Sequence, residues 1–395
     1  DLQFSCSARL SSPPSFGRGA CTGRTAAIGG EGLCEPAARS YNSDRRKGPA
    51  EESKGRMARS KPATLKDVAA LANVSRATAA RALNSYGYVG DETARKVQAA
   101  AGKLGYRGNR LAQALRNGQL PIVGCILGDI QNPFFARIAH DIEVLARECG
   151  YNLVIGSSEE ELGQEVSLLA SLRSLSIRGF IVAPTSADNN AHLQGLIAEN
   201  VPLILIDRVA EGVDCDSVVV DNEGGARKAV EYLIAMGHRR IGLLQDDMRI
   251  FTSRERMTGY QTALGAAGIA PDERMIAVSQ STVEHAVDAT IRLFSQKTPP
   301  TALFTVDSLM TQGALLAFRS MGISIPHNVS LIGFDDFNLA TFTDPQITVV
   351  SQPVSEIGRA AARLLFDRLS GKTDAPRKVR FETKLIVRGS VSRRG

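Results

Sequence analysis

The stretch KPATLKDVAALANVSRATAARALN, residues 61–84, contains two short helical patterns separated by a tight turn. Thr64 and Asp67 have the Thr-x-x-Asp spacing of a capping box, which predicts a helix that begins after Thr64. Ala72-Asn73-Val74 predicts the turn, and Ser75 is placed to cap the second helix. Two helices joined by so short a turn predict a helix–turn–helix.

Further helical patterns follow this pair. A third helix is expected from about Asp91 to Leu104, where Gly105 ends it. Asn109 is then placed to cap a short segment that continues to Arg116. The whole stretch is therefore predicted to form a small all-α module.

The charge of the chain is unevenly distributed. The formal net charge is +6, but residues 57–120 carry 11 Lys and Arg against 3 Asp and Glu, whereas residues 121–395 carry 27 against 32. A small basic module attached to an acidic body indicates a polyanionic partner for that module.

Residues 1–56 are rich in Ser, Gly, Pro and Ala and have no apolar period. This composition predicts a disordered tail. The alternative is that these residues are translated from sequence upstream of the native start, because the first methionine, Met57, immediately precedes the ordered pattern. We expect a chain that begins at Met57 to fold and to bind this polyanionic partner as well as the full chain does.

Residues 121–395 alternate between apolar runs and helical periods. Such alternation predicts an α/β fold with parallel sheets covered by helices on both faces, and the length favours two lobes. Polar residues follow several runs, at the strand ends where open α/β sheets bind ligands. The predicted strands are Ile122–Leu127, Leu153–Ile155, Phe180–Val182, Leu203–Ile206, Val218–Val220, Ile241–Leu244, Ala302–Val306 and Leu331–Phe334.

Three groups of motifs agree in order and spacing with a known family. The segments 61–69, 72–75 and 81–84 resemble the DNA-binding headpiece of the LacI/GalR family of bacterial repressors, and 104–106 with 109–112 resemble its end and hinge helix. The body resembles the family's effector domain, whose fold is that of periplasmic sugar-binding proteins. The resemblance implies a headpiece over 57–108, a hinge helix over 109–118 and a two-lobed effector-binding and dimerisation domain over 119–395.

The resemblance implies that the second helix lies in the major groove and reads bases through Arg76, Ala77 and Thr78. Arg76 and Arg81 have an alternative role as solvated residues or phosphate contacts. Ala80 stands where the family usually has a phosphate-binding Ser. The implied DNA-binding residues are Thr64, Ser75, Arg76, Ala77, Thr78, Arg81, Asn84, Asn109, Arg110, Ala112 and Leu115.

Leu115 occupies the position of the family's minor-groove wedge, a side chain that unstacks and kinks a central base step. Leu111 and Leu115 are also spaced to pack as an ordinary i,i+4 helix pair. Gly108 replaces the Pro that commonly precedes the hinge, so ordering the hinge is expected to cost slightly more entropy.

In the body, the resemblance marks a cleft that suits a sugar, because carboxylates accept from hydroxyls, arginines donate and aromatic faces cover the ring. Phe134 or Phe135 has an alternative role in the core, and Asp207 with Arg208 could form a structural ion pair. Asp307 replaces a common Asn, so it requires a donor from the ligand or a nearby Arg. The implied ligand-binding residues are Asn132, Phe134, Phe135, Asp207, Arg208, Arg256, Asp307, Asp335 and Gln352.

Together these features predict a sequence-specific DNA-binding repressor that is dimeric and cytoplasmic, at the nucleoid. Its expected partners are a near-palindromic operator in double-stranded DNA and a small carbohydrate effector. No cofactor, metal, membrane partner or enzymatic activity is expected, because the chain lacks Walker, Gly-x-Ser-x-Gly and zinc-ligand spacings. A free sugar-binding protein of the periplasmic type is the alternative, and a sugar-modifying enzyme is a third reading; neither explains the basic headpiece.

Overall fold

A computed structural model describes residues 63–84, 88–106, 121–175 and 177–394. The first two ranges form a headpiece of three helices, α1 (Leu65–Leu71), α2 (Arg76–Asn84) and α3 (Asp91–Lys103). Small side chains fill the space between them, and Val68, Ala79 and Val97 are fully buried. Such residues let three short helices approach closely around a small core.

The capping signals predicted for α1 and α2 are confirmed. The Thr64 backbone N–H donates to the Asp67 carboxylate at 2.8 Å, and the Asp67 N–H donates back to the Thr64 hydroxyl at 3.4 Å. Asn73 adopts a left-handed φ of 51° in the turn, and the Ser75 hydroxyl accepts from the Thr78 N–H at 3.0 Å. The helix–turn–helix therefore forms where the capping residues predict it.

Two six-stranded sheets form the body, one in each lobe. The first lobe contains β1 (Ile122–Leu127), β2 (Asn152–Ser157), β3 (Phe180–Val182), β4 (Leu203–Ile206), β5 (Asp216–Val220) and β11 (Lys378–Phe381), in the order β11-β5-β4-β3-β1-β2. The second contains β6 (Ile241–Gln245), β7 (Ile276–Val278), β8 (Ala302–Thr305), β9 (Ser330–Phe334), β10 (Thr348–Ser351) and β12 (Lys384–Ile386), in the order β12-β10-β9-β8-β6-β7. Strands β1 to β5 thus correspond one by one to β6 to β10.

Helices cover both faces of each sheet, as parallel strands require. In β1, Cys125 packs into one core and its neighbour Ile126 into another, so both faces of the strand are dry. Within the described ranges, no helix is both long and apolar enough to cross a membrane. The helices of the body are α4 (Pro133–Glu148), α5 (Leu162–Ser174), α6 (Ala191–Ala198), α7 (Asn222–Ala235), α8 (Phe251–Ala266), α9 (Val283–Phe294), α10 (Ser308–Met321), α11 (Asn338–Phe342) and α12 (Val354–Leu369).

The chain passes between the lobes three times, after β5, after β10 and after β11. These crossings lie side by side. The Asp221 N–H donates to the Phe381 carbonyl at 2.9 Å, and Arg380 donates to the Asp221 carboxylate at 2.6 Å. Ser351 and Lys384 are register partners in the antiparallel pair of β10 and β12.

All eight predicted strands are present, with ends that differ by no more than two residues. The sequence analysis missed β7, β10, β11 and β12. Three of these lie at sheet edges, and β11 and β12 alternate charged with apolar residues, so they lack the continuous apolar run of a strand that is buried on both faces. Strand β12 adds one antiparallel strand to an otherwise parallel sheet.

Candidate functional site

The exposed face of α2 carries the side chains predicted to read DNA. Arg76, Ala77 and Arg81 are exposed and Thr78 is half-buried, while Ala79 and Ala80 face the core. The Thr78 hydroxyl lies 2.9 Å from that of Ser75, so it supports the helix cap and leaves its methyl group for contact. The early turns of α2 therefore present two guanidinium groups and two small apolar surfaces.

No described acidic side chain neutralises this face. In residues 63–84 and 88–106, the one ion pair joins Lys96 to Glu92 on α3. Thr64 is exposed, and its hydroxyl donates to the Asp67 carboxylate at 2.7 Å. Asn84 ends α2. The other predicted DNA contacts lie outside the described residues, namely Asn109, Arg110, Ala112 and Leu115.

The carboxyl ends of the strands of both sheets converge on one cavity between the lobes, of about 490 Å³ including space open to solvent. All nine side chains predicted to bind ligand line this cavity. The cavity is also lined by Asp129, Glu160, Asp246, Thr252, Ser253, Ser281 and Val306. The structure therefore brings the whole predicted set together, although their binding role stays a prediction.

Asn132 and the two phenylalanines lie at the start of α4. The Asn132 side-chain oxygen caps this helix by accepting from the Phe134 N–H at 3.0 Å, and it also accepts from the Ser308 hydroxyl of the other lobe at 3.0 Å. Phe134 and Phe135 are both buried in the core of the first lobe, and their rings meet edge to face. Each ring thus serves the core and the cavity wall together.

Arg208 forms its strongest contacts with a residue that the sequence analysis missed. Its guanidinium donates two bonds to the Glu160 carboxylate, at 2.5 and 2.7 Å, and lies 5.7 Å from the centre of the Phe135 ring. The predicted Asp207–Arg208 pair is present as a looser contact of 3.3 Å. Such a bidentate arrangement fixes the plane of the arginine at the cavity wall.

Arg256 projects from α8 into the second lobe's side of the cavity. Its guanidinium stacks 3.7 Å from the centre of the Phe334 ring and donates to Asn222 at 2.9 Å and to the Val306 carbonyl. Gly259, on the same helix, allows close packing on α7, because an added Cβ would lie 2.3 Å from the Glu223 carbonyl oxygen. Helix packing and three separate contacts therefore hold Arg256 in place.

Asp207 and Asp335 occupy equivalent positions in the two lobes, directly after β4 and β9. Both adopt left-handed backbone conformations, with φ of 66° and 76°. Aspartate tolerates this conformation better than most residues, and the turn directs its side chain away from the strand. The repeated geometry places one carboxylate from each lobe on the cavity.

The remaining predicted residues are paired among themselves or with the backbone. Gln352 donates to the Asp335 carboxylate at 2.6 Å. Asp307 caps α10 by accepting from the Met310 N–H at 2.7 Å, and it also accepts from the Ser281 hydroxyl. The alternative in which Asp307 bonds directly to an arginine is not observed among the described residues.

Burial raises the pKa of several carboxyl groups in the cavity. The pKa of Asp246 rises to about 8, because the group is buried and the Asp307 and Glu160 carboxylates lie nearby; the Asp247 N–H and Arg208 oppose this shift. The pKa of Asp335 rises to about 7 through burial, against the opposing effects of Arg256 and Gln352. Both shifts favour the neutral, protonated form of these groups near neutral pH.

We expect the ligand-free protein to lose stability as the pH rises from about 4 to about 8. Over this window folded Asp246 keeps a proton that the unfolded chain has released, so the free energy of unfolding falls by up to about 1.4 kcal/mol per pH unit and levels off above it. Thermal melts of D246N should show a flatter pH profile and a higher Tm than the parent at about pH 8. D214N, which removes an exposed carboxylate, should keep the parental slope; a parental slope in D246N would contradict this assignment.

Several cavity residues escaped the sequence analysis although a simple signal marks them. Asp246 directly follows β6, and Asp129, Glu160 and Ser281 follow β1, β2 and β7 by two or three residues. A search for polar residues at the carboxyl ends of all strands, and not only of the most apolar strands, would have identified these cavity residues. Glu160 lies within the acidic run 159–161, and a run of charged residues in a sequence normally indicates a solvent-exposed surface.

Comparisons with known proteins cover both the headpiece and the body. The profile of bacterial regulatory proteins of the lacI family matches residues 64–109, and that of the periplasmic binding protein-like domain matches residues 230–391. The chain is 33% identical over 329 residues to the HTH-type transcriptional repressor CytR of Escherichia coli (strain K12). The aligned region covers 83% of this chain and 96% of that protein.

Two solved structures are similar over most of the chain. The transcriptional regulator CelR–cellobiose complex is 31% identical with a TM-score of 0.63, covering 83% of this chain and 99% of that one. The lac repressor dimer bound to operator and the anti-inducer ONPF is 25% identical with a TM-score of 0.74, covering 84% and 100%. The similarity therefore includes the headpiece together with both lobes.

Proposed function

The chain belongs to the lacI family of bacterial regulatory proteins and is a DNA-binding transcriptional repressor; we propose that a sugar-type effector, bound between its two lobes, controls its affinity for operator DNA. One observation carries this proposal. The chain that presents unneutralised arginines on a helix–turn–helix also encloses a polar cavity lined by residues of both lobes. The free sugar-binding alternative is not supported, because such a protein does not require residues 64–109.

The chemistry of the cavity supports a polyhydroxylated ligand. Buried carboxylates offer acceptors, the guanidinium of Arg256 offers donors, and Phe134 and Phe135 offer apolar surface. Three buried side-chain atoms in the wall have no protein hydrogen-bond partner among the described residues: Asp207 Oδ1, Arg208 Nε and Gln352 Oε1. A ligand with several hydroxyls would satisfy them, and CelR, a similar regulator, is known in complex with cellobiose.

Binding in this cavity would couple to the position of the lobes. Asn132, Asp207 and Arg208 come from one lobe, whereas Arg256 and Asp335 come from the other. A ligand that bonds to both sets binds one arrangement of the lobes more tightly than another, and that difference is the coupling free energy available to the DNA site. Typical couplings of about 1–3 kcal/mol change operator affinity by roughly 5–150-fold.

We further propose a homodimer that reads a near-palindromic operator. The edge strands β2 and β7 occupy the same position in the two sheets, and each carries an exposed apolar side chain, Ile155 and Val278. Val166 on α5 and Met248 after β6 are exposed as well. Exposed apolar side chains at matching edges of the two sheets favour a subunit interface, and the similar lac repressor is a dimer on its operator.

Val278→Asp should shift the protein from dimer toward monomer, because it places a charge on a side chain that is 60% exposed in the isolated chain and buried in the proposed dimer. Light scattering coupled to size exclusion would measure the mass over a range of concentrations. Phe342→Asp changes an even more exposed apolar residue on α11, away from the edge strands, and should leave the mass unchanged. Loss of the dimer in both variants, or in neither, would argue against this interface.

We propose that the protein acts in the cytoplasm, at the nucleoid, and that it binds its effector without chemical conversion. Its relatives are DNA-binding repressors, which supports both statements. The purified full chain should enrich a near-palindromic duplex from a random library, and a sugar panel should contain a member that changes the affinity for that duplex. A chain that enriches no duplex, or that consumes the bound sugar, would contradict the proposal.

A further inference from the structure

The cavity has a marked excess of negative charge. Only two cationic side chains, Arg208 and Arg256, line it within the described residues. Its carboxylates are Asp129, Glu160, Asp207, Asp246, Asp307 and Asp335. A second depression adjoins it, shares three of these acids, and adds Glu159, Glu161 and Asp247 against a single cation, Arg249. The cavity and the adjoining depression are therefore both predominantly acidic.

The two arginines do not neutralise all of this charge. Arg208 is held by the bidentate Glu160 pair, and Arg256 is engaged by Asn222, the Val306 carbonyl and the Phe334 ring. In the described structure, no salt bridge reaches Asp246, Asp307 or Asp335. These three acids rely on backbone N–H groups, a serine hydroxyl and a glutamine amide.

Asp246 is the least compensated of them. It is only 8% exposed, and the single bond recorded for its carboxylate comes from the Asp247 N–H at 2.7 Å. Asp307 and Glu160 are close enough for their charges to act on it. Independently, Asp207 Oδ1 is buried in the same wall without a partner. A buried carboxylate with so little compensation requires either a proton or a cation from the ligand.

We propose that the effector is an amino sugar whose protonated amine is held by Asp246, within the acidic subsite formed by Asp246, Asp307 and Glu160. This inference rests on the proposed function, because it specifies the class of sugar that the cavity takes. An ammonium group has three donors and no acceptor, which suits carboxylates that still have free lone pairs. Sugar phosphates and sugar acids would add negative charge to the site and should be rejected.

An organic cation fits this site better than a metal ion. In the part of the chain that the structure describes, no group of three or more His, Cys, Asp or Glu side chains is arranged to hold a metal. Protonation of Asp246 is the other way to remove the charge, and the raised pKa of this carboxyl favours it. An amine would displace that proton, so binding should release protons to the buffer.

The test is calorimetric titration of the full chain at about pH 7.5, with matched sugars. The panel pairs neutral hexoses in the gluco, galacto and manno configurations with counterparts that carry an amine at C2 or C6. It also includes glucose 6-phosphate and glucuronate. For a configuration that binds, the amine form should bind about tenfold or more tightly than its neutral parent, and the anionic sugars at least about tenfold more weakly. Titration in buffers of different ionisation heat should show proton release with the C6 amines, which are protonated at this pH, and none with the neutral sugars.

Two variants test whether Asp246 is responsible for the preference for amino sugars. Asp246→Asn should reduce the ratio of amine to parent affinity by about tenfold, whereas Asp214→Asn, an exposed carboxylate outside the cavity, should keep it. Three outcomes would overturn the amine inference and leave the sugar-responsive repressor intact. A neutral parent could bind as tightly as its amine or more tightly, binding could require added Ca²⁺, or Asp246→Asn could leave the ratio of amine to parent affinity unchanged. Failure of every sugar in the panel to bind would overturn both.

Discussion

Arg256→Ala should abolish the effector response of the repressor while ligand-free protein keeps most of its operator affinity. Arg256 is 5% exposed, and the effector would lose a charge-assisted bond to a buried side chain. Such a loss costs about 1.5–3 kcal/mol, or roughly 10–150-fold in effector affinity. Calorimetry with effector and fluorescence anisotropy with labelled operator, run on the same preparation, would separate the two activities.

Two comparison variants keep this result interpretable. Arg256 also supports Asn222 and the Val306 carbonyl, so its loss is expected to lower the Tm. Arg256→Lys keeps the charge but not the planar fork, and should recover stability more than effector affinity. Arg274→Ala removes an exposed arginine of the same lobe and should change neither property. Asp335→Ala should behave like Arg256→Ala; unchanged effector affinity in both would remove these residues from the site.

Arg76→Ala should relax sequence preference at one position of each operator half-site. Arg76 is the first residue of α2, follows the Ser75 cap and is exposed, so its side chain can reach a base edge when α2 lies in the major groove. A bidentate contact to a base contributes about 1–3 kcal/mol of discrimination. The measurement is binding to a panel of single-base operator variants at several salt concentrations.

Lys61→Ala is the matched comparison, because Lys61 precedes α1 in the sequence and is expected to contact only phosphate. It should weaken all operator variants alike and reduce the log–log salt slope by about 0.9 for each lost contact, and by twice that in a symmetric dimer. If Arg76→Ala also lowered affinity for every variant by the same factor, Arg76 would be a phosphate contact.

Local signals predicted much of this fold. The capping residues Thr64 and Ser75 set the starts of two headpiece helices, and unbroken apolar runs marked every strand that is buried on both faces in the interior of a sheet, except β10. The position of acids after strands, together with family resemblance, selected nine residues that lie far apart in sequence and line one cavity. These signals are local, or depend on the shared direction of parallel strands.

The partnerships inside the cavity were not predictable in the same way. Glu160 and Arg208 are 48 positions apart, and their pairing depends on the distance between β2 and β4 and on the left-handed φ of 58° at Glu160. Asn132 and Ser308 meet across the lobes, 176 positions apart. Such contacts follow from tertiary packing, which overrides any preference that a sequence run expresses alone.

The three chain crossings restrict how the lobes can move. A single tether would act as a swivel and permit rotation about several axes. Three tethers that run abreast and are bonded to one another, through Asp221, Arg380 and the pair of β10 with β12, resist shear and twist and flex mainly about the line that joins them. The body therefore has essentially one soft degree of freedom. Any ligand that bridges the cavity would drive the same displacement, so effectors of different shape would differ in the extent of the response and not in its direction.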